Sequence, residues 1–155
     1  MKIIFYENRY GDWTDKLIRW KTATWKQRFD GSWKDLPSHV ELLMSSGLMF
    51  SASQYENEVR YKMFKYSNAW TIIDLNTDVE QDKHIRNFCA NENGKKYDYR
   101  GILGFLIPFV DDNRDKWFCS EICAEALKQV GYLDIEDSAK ISPAKLKELI
   151  DGLVK

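Results

Sequence analysis

The 155 residues carry 23 Lys and Arg against 24 Asp and Glu, a formal net charge of −1, and 44% of the chain is hydrophobic. This length and apolar content suit one domain with a buried core, and the evenly mixed charge gives no footprint for gripping a phosphate backbone, which argues against nucleic acid as a partner. No apolar run is long enough for a membrane span and Met1–Glu7 is too short for a secretory leader, so a cytoplasmic chain with its three cysteines reduced is expected.

Lys2 to Tyr6 reads as a short strand, after which Asp12 or Thr14 offers an N-cap to a helix with Trp13, Leu17, Trp20 and Ala23 or Thr24 on one face. Phe29 to Pro37, with Gly31, Ser32 and Asp35, reads as a loop. His39 to Met44 and Leu48 to Ser53 are extended runs joined by Ser45-Ser46-Gly47, a hairpin with a three-residue connection. If Met44 pairs with Leu48, Glu41 falls opposite Ser51 and His39 opposite Ser53, on one face. Val59 to Phe64 and Trp70 to Leu75 complete a meander of four strands.

Thr77 and Glu80 have capping-box spacing ahead of a helix with Val79, Ile85 and Phe88 as its apolar residues. Tyr99 to Ile107, ending at Pro108, suits a short buried helix or packed segment, and Asp111 to Asp115 a charged loop. Cys119, Ile122, Cys123, Ala126, Leu127 and Val130 recur at helical spacing, with Gly131 at the C-terminal cap. Ser142-Pro143 opens a final helix with Leu146, Leu149, Ile150 and Leu153 as its buried side. The fold class expected from this order is α+β.

Cys119 begins its helix, where unpaired N–H groups and the positive end of the dipole favour a thiolate. Cys123, one turn inside, reads as a small core hydrophobe, and Cys89 lies at the wrong pole of its helix for activation. His39 and Glu41 share a strand face, so a carboxylate can act on the imidazole; Ser51, Ser53, Glu41 or a backbone carbonyl could orient it. A zinc site is disfavoured because Cys119 and Cys123 lack the spacing of a zinc motif, and no cofactor is expected.

Ser38-His39-Val40-Glu41-Leu42, then Phe50-Ser51-Ala52-Ser53, then Tyr97-Asp98-Tyr99 with Gly101 and Gly104, then Trp117-Phe118-Cys119-Ser120-Glu121 resembles the circularly permuted NlpC-type cysteine peptidases and amidases. These are papain-like proteins related to the lecithin retinol acyltransferase group, in whose permuted branch the histidine strand precedes the cysteine helix. The resemblance implies a papain-like α+β fold with Cys119 as nucleophile and His39 as general base. It leaves Ser51 and Ser53 where the family's third polar residue usually stands, and it implies substrate contacts from Tyr97, Asp98, Trp117 and Ser120. The expected activity is cleavage of an amide in a peptide-like or cell-wall-like substrate. Thiol acyl transfer on an acylated substrate and an inactive binding relative are the alternatives, and Lys140, Lys145 and Lys147 make the final helix a weak candidate for membrane contact.

Overall fold

A computed structural model describes residues 1–7, 11–99 and 116–154. The strands are β1 (Lys2–Tyr6), β2 (His39–Leu43), β3 (Leu48–Ser53), β4 (Glu58–Met63), β5 (Trp70–Asp74), β6 (Lys96–Tyr97) and β7 (Lys116–Trp117). The helices are α1 (Trp13–Thr22), α2 (Trp25–Asp30), α3 (Val79–Glu92), α4 (Cys119–Gln129) and α5 (Pro143–Leu153). The fold is mixed α+β. One sheet runs β5-β1-β2-β3-β4-β6-β7, antiparallel except for the parallel pair β6 and β7.

The β2–β3 hairpin has the register expected from its turn. Leu42 faces Phe50, Leu43 faces Met49, and the Met44 N–H donates to the Leu48 carbonyl at 2.8 Å. Gly47 turns the chain at φ 83°, a left-handed conformation that costs glycine nothing. The paired register stops at Leu42, however, so His39 and Glu41 are not laddered to Ser53 and Ser51. Along that stretch helix α4 supplies other partners: the Cys123 thiol reaches the Val40 carbonyl at 3.8 Å, and the Ser51 hydroxyl donates to the Cys119 carbonyl at 3.4 Å.

The expected four-strand meander holds only for β2, β3 and β4. Strand β5 instead pairs with β1 at the opposite edge, Ile73 against Ile3 and Trp70 against Tyr6. The alternation in Trp70–Asp74 marks a strand without specifying its neighbour.

Helix α4 fills the centre of the core. Cys119 through Ala124, Ala126 and Leu127 are all buried, and the helix packs on β2 and β3, with α3 and α5 also against it. Ile3, Phe5, Val40, Leu42 and Phe50 meet Ile122, Leu127, Leu146 and Ile150 in one cluster. Burying each large side chain contributes about 1.5–3 kcal/mol. Helix α5 starts as expected, with the Ser142 hydroxyl accepting from the Lys145 N–H at 3.2 Å, and Leu146 and Ile150 are buried in this core with Leu149 packed against it, but Leu153, expected on the buried side, is 55% exposed in the last turn.

Three other helices differ from what the sequence suggests. In α1 the buried residues are Asp15, Ile18 and Arg19, while Trp13 and Trp20 face solvent. The stretch read as loop from Phe29 begins inside a helix, α2, capped by Thr24 and Gln27 and closed by Gly31. The α3 capping box is Asp78 with Gln81, one residue later than expected, because the Thr77 hydroxyl donates instead to Asp82 at 2.5 Å; Val79 is exposed. The expected segments Tyr99 to Ile107, beyond Tyr99 itself, and Asp111 to Asp115 lie outside the described residues.

Candidate active site

His39 opens β2 at a clamped position. The preceding Ser38 donates its N–H to the Tyr6 carbonyl at 3.0 Å, and its hydroxyl accepts from the buried Arg19 guanidinium at 3.2 Å. Across the sheet, Tyr6 stands between His39 and Trp70, with the Tyr6 and Trp70 rings 5.1 Å apart and the imidazole 6.4 Å from the indole. The entry to the strand therefore fixes where the imidazole points.

Its Nε2 lies 2.9 Å from Glu41 Oε1, which satisfies one side of the ring. Glu41 is buried and would be costly as a lone charge, but Arg60 on β4 grips it with two parallel bonds, Nη1 to Oε2 at 2.8 Å and Nη2 to Oε1 at 2.9 Å. Arg60 reaches it across β3, where its register partner is Ser51. Arg60 Nε lies 3.7 Å from Glu56, and Glu56 is held in turn by Lys62 at 2.7 Å and by the Ser53 hydroxyl. Burial alone would raise the Glu41 carboxyl's pKa, but the bonds and charges of His39 and Arg60 outweigh it and hold the group below its usual range.

Cys119 meets the same imidazole from α4. Burial pulls the His39 pKa down, yet the charge interaction and hydrogen bond with Cys119, joined by those with Glu41, raise it from 6.5 to about 10. The imidazole is thus bonded to Glu41, with Cys119 close enough to act on its charge. Cys89 and Cys123 take no part: burial drives both thiols up, Cys89 to about 12, as expected of core residues.

His39 and Glu41 line a cavity of about 190 Å³ together with Tyr6, Ile18, Ser53, Tyr55, Arg60, Trp70 and Tyr97. The His39 side chain keeps 23% of its surface exposed, whereas Cys119 is 1% exposed. The Tyr97 ring packs 6.0 Å from that of Phe118, the residue before Cys119. His39 and Tyr97 are therefore cavity-lining residues that also touch the sulfur's surroundings.

The remaining candidates are placed differently. Ser51 bonds the α4 backbone and Ser53 bonds Glu56, so neither is seen to orient the imidazole. Ser120 donates to the Ile141 carbonyl at 2.6 Å and Trp117 donates its indole N–H to Glu92 at 2.5 Å; neither lines the cavity. The Asp98 N–H pairs with the Trp117 carbonyl at 2.8 Å and Asp98 also stands outside the cavity wall. Arg60 was not anticipated from the sequence. Its only signal is alternation in Glu58–Met63, which puts it on the face of Ser51 once the β3–β4 register is known.

Among the described residues no cluster of three or more His, Cys, Asp or Glu side chains is arranged to hold a metal ion, and no helix is long and apolar enough to cross a membrane. No family model, curated protein or solved structure matches this chain.

Proposed function

We propose that the protein is a thiol hydrolase of the permuted papain-like, NlpC type, acting on an amide in a peptide-like or cell-wall-like substrate. The observation that carries this reading is the series Cys119, His39, Glu41 and Arg60, with the cysteine at the first position of a helix and the imidazole at the wall of a cavity. A core cysteine needs no charged imidazole beside it, and a surface histidine needs no buried carboxylate clamped by an arginine.

In this mechanism His39 takes the thiol proton, a role that suits an imidazole whose pKa is raised. The Cys119 thiolate attacks the carbonyl carbon, and the oxyanion that forms is met by the Cys119 N–H, which has no acceptor within its own helix. His39 then gives its proton to the leaving amine as the C–N bond breaks, producing a thioester. The neutral imidazole next takes a proton from water, whose oxygen displaces the sulfur and releases the carboxylic acid. Glu41 does not exchange protons. It stabilises the imidazolium and fixes the ring, while Arg60 fixes Glu41. The near-complete burial of Cys119 requires the Tyr97 or His39 side of the wall to yield when substrate enters.

The test is incubation with a panel of peptide amides and muropeptide-like fragments, with mass spectrometry of the intact protein. The expected result is product release together with a transient acyl adduct on Cys119, both absent in Cys119→Ala. A panel that yields neither turnover nor adduct, or turnover that persists in Cys119→Ala, would remove the proposal.

A further inference from the structure

Helices α1 and α2 carry their large aromatic side chains outward. Trp13 is 74% exposed, Trp20 42%, Trp25 83% and Phe29 95%. Trp13 and Trp20 are seven residues apart on α1, and Trp25 and Phe29 four apart on α2, so each pair lies along one face of its helix. The opposite side of α1 supplies Ile18 and Asp15 to the cavity. Single exposed apolar residues are ordinary on a protein surface, but four large aromatics exposed on two consecutive short helices call for an occupant.

The charge around the patch narrows what that occupant is. From Asp12 to Asp35 the chain has Lys16, Arg19, Lys21, Lys26, Arg28 and Lys34 against Asp12, Asp15, Asp30 and Asp35, although the whole protein has a net charge of −1. Arg19 and Asp15 are buried, which leaves five cations against three carboxylates toward the surface. Several sit on the aromatics themselves. Lys21 Nζ is 4.9 Å and Arg28 Cζ 4.5 Å from the centre of the Trp20 ring, and Lys34 Nζ is 5.8 Å from that of Trp33. Arg28 also bonds the carbonyls of Trp20 and Lys21 at 2.9 and 3.1 Å, which holds α2 against the end of α1.

We infer that the α1–α2 face docks on an anionic phospholipid surface, the indoles and Phe29 entering the headgroup boundary while the lysines meet lipid phosphates. Indole is the side chain that best suits a boundary with one wet and one apolar side, and flanking lysines add attraction to anionic lipid. A protein partner fits less well, because lysine is depleted at the centre of protein interfaces. A second copy fits less well still, since a two-fold contact would set this cationic patch against itself. The inference does not depend on the chemistry assigned to Cys119.

The test is co-sedimentation of the full chain with vesicles of phosphatidylcholine alone and of phosphatidylcholine mixed with phosphatidylglycerol, read alongside tryptophan fluorescence. Binding to the anionic vesicles, a blue shift, and weakening by salt are expected. The exposed double variant W25S/F29S, its fold checked by circular dichroism, is expected to bind about tenfold more weakly or worse. K21E/K26E is expected to lose the preference for anionic lipid. Absence of binding, equal binding to both vesicle types, or wild-type binding by W25S/F29S overturns the inference. So does a concentration-dependent dimer of the wild type that W25S/F29S abolishes, which would assign the face to a second copy.

Discussion

Glu41 is the residue on which the site's electrostatics turn, because it is a buried carboxylate whose partners decide whether it stays charged. In Glu41→Gln the side chain keeps its shape but loses its charge, so the His39 pKa falls and activity is expected to drop by about 10²-fold or more, measured as kcat/KM across pH. Arg60→Met leaves Glu41 without its paired cation and is expected to cost about 3–5 kcal/mol in urea denaturation. Arg60→Lys restores the charge without the two-pronged grip and is expected to recover only part of that loss. The placement of Cys119 at a helix start and of His39 two positions before Glu41 on one strand was legible in the sequence because each follows from local pattern. Arg60 was not, because its place beside Glu41 depends on a register across an intervening strand.

At the scale of elements, turns and caps were read more reliably than faces. Ser45-Ser46-Gly47 specified the β2–β3 register because only one residue of the connection needs a positive φ, and glycine stands there. Gly47→Ala is accordingly expected to destabilise the protein by about 1 kcal/mol by thermal or urea unfolding, although the added methyl would meet only Met63 at 3.8 Å. Ser142→Ala removes the α5 cap and is expected to cost a similar amount, about 1 kcal/mol. Which face of α1 is buried was not legible, because Trp13, Leu17 and Trp20 form a regular apolar stripe, and periodicity cannot say whether such a stripe faces a core or a surface that binds something else. The buried Arg19 obscures that face further: it packs beneath Ser38 where a hydrophobic residue would be expected. The point at which β2 and β3 cease pairing was likewise invisible, since it is set by helix α4 lying against Val40 and Ser51.

For the whole molecule, the α+β class followed from the order of strand and helix patterns, while the sheet order did not, because β5 crosses to the far edge. The linked ionisations of the site should also be felt in global stability. His39 has a folded pKa raised to about 10, so its contribution is complete below its unfolded value of 6.5 and is lost as pH rises through about 10. Glu41 has a lowered folded pKa, so its contribution is present above its unfolded value of 4.5 and is lost as pH falls through the folded one. Urea unfolding across pH is therefore expected to show a plateau between these limits, and Glu41→Gln to remove its acid side. The decisive measurement is an NMR titration of the imidazole, made simple by a chain that holds just one other histidine, His84. The His39 ring is expected to remain protonated well above neutral pH in the wild type and to lose its proton at distinctly lower pH in Cys119→Ala. A His39 that titrates near 6.5 in both proteins would show that sulfur and imidazole do not form a charged pair, and the assignment of Cys119 as nucleophile would fall with it.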